Sequence, residues 1–424
     1  MDAETSWTSN ARRDTFPLTF MTGTPPPHLF HIDDCTPAYD FVEVTRQGTH
    51  PVVDRYRGQV LLHTVHDGKL IPERFLYRDG EPIVDFALLN DKFVQERDWG
   101  ANLIAGQIAS AANIAGYARC RLARVLMDFN RFPGTTPPGG RGLETMAISE
   151  PFASALSHPE KLSLLEDYYD RISELIEDSL LSNKLIMIAV HTYDEHNASR
   201  TQRSDLSLLT RMAHYQRESR MPYGVFDPMF PDALGASTCS RILRDRISLN
   251  LERNGFRVSH NHPYPLPEGS MEVRAQVWYF FDYLRKRFQD THPKTRDDPA
   301  YQLVWLMLLN TNLRLQEAET LRSFLHRFRR VPRAQLAQFK RAEKAYTHVR
   351  NFLAGGNIVR DFSTSNMRPS SLGLEVRKDL ICSFDKQSGR PLPITEAQQH
   401  KARSIGEVIA SAIATYFETD RQFL

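Results

Sequence analysis

The segment Gly58-Gln59-Val60-Leu61-Leu62-His63-Thr64-Val65-His66-Asp67-Gly68 is a short apolar run closed by a histidine, an acid and a glycine. A strand buried on both faces reads this way when it delivers a polar group to the carboxyl edge of a parallel sheet. Open α/β sheets bind ligands at that edge, so His66 stands where chemistry is usually done. A strand-end histidine can also be satisfied by nearby backbone. The choice depends on what the other strands deliver beside it.

Three further segments have the same form. Lys184-Leu185-Ile186-Met187-Ile188-Ala189-Val190-His191 is a second apolar run ending in histidine. Leu122 to Met127 is expected as a strand leading into Asp128-Phe129-Asn130-Arg131, and Leu372-Gly373-Leu374-Glu375-Val376-Arg377 as a late one carrying an acid. A short strand is expected over Phe256 to Ser259, before Asn261-His262-Pro263-Tyr264. Helical periodicity fills the intervals: Lys92 to Tyr117, with Trp99, Leu103, Ile104, Ile108 and Ile114 as its apolar stripe, then Pro159 to Leu181, Thr238 to Asn254 and Glu396 to Phe417. The prolines and glycines from Phe132 to Gly142 exclude regular structure there. This alternation predicts an α/β fold, a mixed central sheet flanked by helices. Residues 1–45, rich in Thr, Pro and Asp, are expected to form an extended arm. The catalytic domain is expected over 46–285 and 368–424, interrupted by a helical insertion at 286–367.

Composition narrows the function. Of 424 residues, 41% are apolar and 25% charged, and the net charge of +2 points to no global polyanion partner. Four scattered cysteines (Cys35, Cys120, Cys239, Cys382) fit neither a disulfide framework nor a cysteine zinc site and suit a reducing cytoplasm. No membrane-spanning run and no secretory signal are seen, so a cytoplasmic protein with no membrane partner is expected. Residues 311–350 carry ten Lys or Arg against three Glu, including His326-Arg327-Phe328-Arg329-Arg330. A basic hairpin of this kind can contact nucleic-acid phosphates, but a solvated helix face is the simpler reading, and nucleic acid is not the expected partner.

Two strands ending in histidine, one in Asn-Arg, and one carrying Glu375 are the parts of a metallohydrolase. Zinc takes neutral imidazole and carboxylate ligands and, at a catalytic site, keeps one position open for water. A glutamate beside that water can take its proton, and an arginine can hold a substrate carboxylate in a two-pronged link. His66, His191, one carboxylate, Glu375 and Arg131 would together make such a site. The salt-bridge reading of Glu375, to Arg377 or Lys378, stands beside the catalytic one.

The ordered set of motifs resembles the N-formylglutamate amidohydrolase (deformylase) family, whose zinc-peptidase-like fold is related to that of carboxypeptidases and aspartoacylase. The matching segments are Val65-His66-Asp67-Gly68, Asp98-Trp99, Asp128-Phe129-Asn130-Arg131, Ala189-Val190-His191-Thr192, Asn261-His262-Pro263-Tyr264 and Glu375-Val376-Arg377-Lys378-Asp379-Leu380. The resemblance implies Zn²⁺ as cofactor, His66, Asp98 and His191 as its ligands, with Glu96 the nearest rival to Asp98. It implies Glu375 as general base and Asn130 with Arg131 as a carboxylate clamp. Tyr264 is a further substrate-binding candidate, and Arg200 a weaker one for a second carboxylate or a carbonyl. The substrate would be a small N-acyl amino acid, or a peptide-like molecule, with a free carboxylate. A zinc carboxypeptidase or deacylase, or a silent binding protein using the basic insertion, are the alternatives. Three departures stand out: Asp67 replaces a Ser or Pro, the paired glycines after Tyr264 are absent, and Ala189 stands where the family has an acid two residues before its histidine.

Overall fold

The protein is described by a computed structural model covering residues 28–420, apart from 142–143, 198, 212–225, 231–236, 313, 328–332, 366–367, 386 and 388. Seven strands form its central sheet: β1 (Tyr39–Glu43), β2 (Val60–Thr64), β3 (Gly116–Cys120), β4 (Ile186–Tyr193), β5 (Leu206–Leu209), β6 (Val258–His260) and β7 (Ser370–Arg377), in spatial order β6-β5-β7-β4-β2-β3-β1. β7, β4, β2 and β3 run parallel, β1 and β5 pair antiparallel with β3 and β7, and β6 runs parallel to β5. The sheet is mixed, as expected. Every residue of β2, β4 and β7 is buried, which is why these strands read as unbroken apolar runs.

Alternation along the strands separates two cores. Val60, Leu62, Ile186, Ile188, Val190, Leu372, Leu374 and Val376 face helices α2 (Ala101–Ala111), α4 (Arg241–Arg253) and α9 (Glu396–Thr415). α9 begins at a Thr395–Gln398 capping box and approaches α2 closely: a Cβ on Gly406 would lie 2.6 Å from the Gln107 Cβ. Leu61 and Met187 face the opposite core, to which α3 (Arg171–Leu181) contributes Ile172, Ile176 and Leu180, and α5 (Met271–Thr291) contributes Ala275, Val277, Trp278 and Phe280. α6 (Pro299–Leu309), α7 (Gln316–Leu325) and α8 (Leu336–Gly355) extend that core away from the sheet. α5 crosses the expected boundary at 285/286, so the helical region grows out of a helix that already covers the sheet.

Three local expectations change. The helix expected over Lys92 to Tyr117 is two, α1 (Phe86–Glu96) and α2, broken at Arg97–Gly100, and β3 follows directly. Gly100 has φ +88°, a left-handed turn that ends one helical register and starts another. The strand expected at Leu122 to Met127 is instead a turn that bridges, through Leu122, to Leu70 of a separate two-stranded pairing outside the central sheet, and the strand is β3, just upstream. Within the expected N-terminal arm, Tyr39–Glu43 is the edge strand β1, while residues 1–27 lie outside the described residues. Sequence reading also missed β5, only four residues long. In the basic stretch, Phe328, Arg329 and Arg330 lie outside the described residues.

Candidate metal centre

The carboxyl ends of β2 and β4 are neighbours, and each delivers a histidine. His191 lies within β4, in register with Glu375 of β7. His66 follows β2 by two residues, and its backbone carbonyl accepts the Asp98 N–H at 3.0 Å, tying the Arg97–Gly100 turn to the strand end. α2 begins with glycine as its N-cap and without a side-chain cap, so the Asp98 carboxylate is free to face the histidines. His66, Asp98 and His191 are all buried and offer ligand atoms within 4.8 Å of one another. Asp98 Oδ2 is 2.9 Å from His191 Nδ1 and 3.5 Å from His66 Nδ1. Glu96 borders the same cavity but stands outside this cluster.

The far nitrogens are held by other groups. His66 Nε2 is 2.8 Å from Asp128 Oδ1, and Arg124 bridges that carboxylate to Asp98 at 3.2 and 3.3 Å. His191 Nε2 is 3.3 Å from Asn130 Nδ2 and 3.7 Å from Glu272 Oε1. Burial alone would raise the Asp98 and Asp128 pKa values. Contacts with His191 and His66 at Asp98, and with Arg124 and His66 at Asp128, outweigh it and hold both carboxyls well below the usual carboxylate range.

This donor set fits a zinc ion. Two imidazoles each turn Nδ1 toward one ionised carboxylate, and outer contacts fix their other nitrogens. Among the described residues His66 Nδ1 is buried without a hydrogen-bond partner and faces the space it shares with Asp98.

Glu375 stands beside the cluster. Its Oε1 accepts the Tyr264 hydroxyl at 2.5 Å, and its Oε2 is buried without a partner among the described residues. Burial raises its pKa despite the opposing charge of His191. The salt-bridge alternative fails, because Arg377 pairs with Asp379 and Asp205, and Lys378 with Asp194.

A cavity of about 650 Å³ opens over these groups, bordered by Arg131, Arg203, Tyr264, Glu268 and Lys378. The Arg131 side chain is about a third exposed there, 3.8 Å from Asp128. Asn130 is buried with its amide engaged inside the protein. Arg200 is exposed and does not border the cavity, whereas Arg203, three residues on, does. Asp67 pairs with Arg97 and caps the Asn102 N–H, so its role is to fix the Asp98 turn.

Residues 58–279 match the model of the N-formylglutamate amidohydrolase family, over half of the chain. The chain belongs to this family. No curated protein matches it. Among solved structures it is similar to a gene product of Agrobacterium tumefaciens (14% identity, 90% of this chain and 96% of that one, TM-score 0.43). It is likewise similar to an N-formylglutamate amidohydrolase from Ralstonia eutropha (11% identity, 90% and 98%, TM-score 0.45). Membership of the N-formylglutamate amidohydrolase family makes this chain a hydrolase-family protein, and its buried His-Asp-His cluster lies inside the matched residues.

Sequence reading missed Asp128, Arg124 and Glu272 as supports of the cluster. Asp128 heads the Asp-Phe-Asn-Arg segment and was within reach. Glu272 sits in an unremarkable helical stretch, and only packing of α5 on the sheet reveals it.

Proposed function

We propose that this protein is a zinc-dependent amidohydrolase that cleaves the carbon–nitrogen bond of an N-acyl amino acid bearing a free carboxylate, with N-formyl compounds the first class to test. The observation that carries this reading is the convergence of His66, Asp98 and His191 beside a buried glutamate with one unpartnered oxygen. His66, Asp98 and His191 would hold a zinc ion, which would supply Lewis acidity toward a water, whose pKa would fall toward about 7, and toward an acyl oxygen. Glu375 takes the proton from the attacking water on Oε2 and returns it to the leaving amine, while Tyr264 fixes Oε1. Arg131 orients the substrate carboxylate, with Asn130 beside it, and Arg203 takes the role of second cation expected of Arg200. The four cysteines are free and no described helix is long and apolar enough to cross a membrane, and we assign the protein to the cytoplasm.

The test is metal analysis followed by a substrate screen. Purified protein should hold about one zinc per chain, and His66→Ala and His191→Ala should lose it. N-formyl amino acids should be hydrolysed in preference to N-acetyl compounds and dipeptides. Unchanged metal content in both variants would overturn the assignment.

A further inference from the structure

α5 brings a fully buried carboxylate against the sheet directly behind the candidate ligands. Glu272 has no solvent exposure, and neither of its oxygens has a hydrogen-bond partner among the described residues. A carboxylate buried in this way costs several kcal/mol unless a charge or donor answers it. The nearest group of that kind is His191, whose Nε2 is 3.7 Å from Oε1.

The strands leave room for it. Ala189 of β4 is in register with Gly373 of β7 and His63 of β2, so a methyl group and a bare Cα stand where larger side chains would fill the interior. A Cβ on Gly373 would lie 2.9 Å from Glu272 Oε1, closer than such atoms approach. The space is shaped around this carboxylate.

A histidine that gives its Nδ1 lone pair to a metal must carry its proton on Nε2, and that N–H needs an acceptor. Asn130 cannot supply one. Its Oδ1 accepts the Met271 N–H at 3.4 Å, which turns the amide NH₂ toward His191. Glu272 is the acceptor within reach.

We propose that Glu272 is a positioning residue of the metal centre: its carboxylate takes the Nε2–H of His191 and holds Nδ1 as the lone-pair donor facing His66 and Asp98. This rests on the metal reading of the cluster. The 3.7 Å separation is that of an ion pair, and such contacts commonly tighten when a site is filled.

Zinc affinity, measured on the metal-stripped full chain by competition with a chromophoric chelator, tests the role. Glu272→Met, nearly isosteric and apolar, should weaken zinc binding about 10- to 100-fold. Glu272→Gln, whose carbonyl can still accept, should weaken it less. Urea unfolding of each metal-free variant checks that affinity is compared among folded molecules, since removing one partner of a buried pair can itself cost stability. A purely structural role predicts lost stability with zinc affinity intact among folded molecules. Equal affinity in wild type and Glu272→Met would overturn the role while leaving the metal reading standing. A wild-type chain that takes up no zinc would overturn the metal reading and this role with it.

Discussion

At the residue scale, the different duties proposed for two neighbours in one cavity, Glu375 and Arg131, are separable by kinetics. A base is needed for turnover but need not hold the ground-state substrate. Glu375→Gln should keep zinc and fold while kcat falls by about 10² or more. Arg131→Ala should raise KM and lower kcat/KM, a loss of about 2 to 4 kcal/mol, because a clamp serves both binding and orientation. Arg131→Lys should recover little, since an ammonium makes no two-pronged contact. Near-normal turnover in Glu375→Gln would remove it from the mechanism. His63 makes a separate prediction, for stability. Burial lowers its pKa from 6.5 to about 4, with Glu272 partly opposing, so folding favours the neutral ring. Its contribution is complete above about pH 6.5 and is lost as pH falls toward 4, on the order of 3 kcal/mol. In metal-free protein, urea titrations across that window should show a shallower acid limb for His63→Leu. Identical limbs would show that His63 does not drive it.

At the element scale, what the sequence disclosed follows from burial. β2, β4 and β7 are buried on both faces, so their apolar runs were plain, and with them His66, His191 and Glu375. β3 was mistaken for the end of a helix because Gly116-Tyr117-Ala118-Arg119-Cys120 has no apolar run, and its exposed-side arginine pairs with Asp40 of β1. The helix break was equally hidden: the apolar stripe continues through Trp99, and only the left-handed Gly100 interrupts it. That glycine sets where Asp98 points. Gly100→Ala would put a methyl 2.7 Å from Ile381 Cδ1 at φ +88°, and should cost about 1 to 3 kcal/mol in urea unfolding while weakening zinc binding. Gly255→Ala, at φ +84° with open space around it, should cost about 1 kcal/mol and leave zinc affinity alone. Equal zinc affinity in both variants would separate the turn from the site.

At the scale of the whole molecule, the candidate centre ties together parts of the chain far apart in sequence. His66 follows β2, Asp98 precedes α2, His191 belongs to β4, and Glu375 and Glu272 arrive from β7 and α5. These elements border both cores, so an ion bound there is linked to folding of the entire sheet. The unfolded chain cannot gather these residues, so a metal bound by them would stabilise the native state by mass action. Zinc at about a thousand times its dissociation constant should raise the unfolding free energy by about 4 kcal/mol, and a chelator should remove that gain. His66→Ala and His191→Ala should unfold at the same urea concentration with or without zinc. The helical region provides the internal contrast. Among the described residues α7 and α8 pack mainly on α6, so charge reversal at Arg327 should leave the zinc-dependent gain intact. A gain that persists in both histidine variants would mean that zinc acts elsewhere on the molecule, and the His66–Asp98–His191 cluster would then be a buried ion-pair network rather than a metal site.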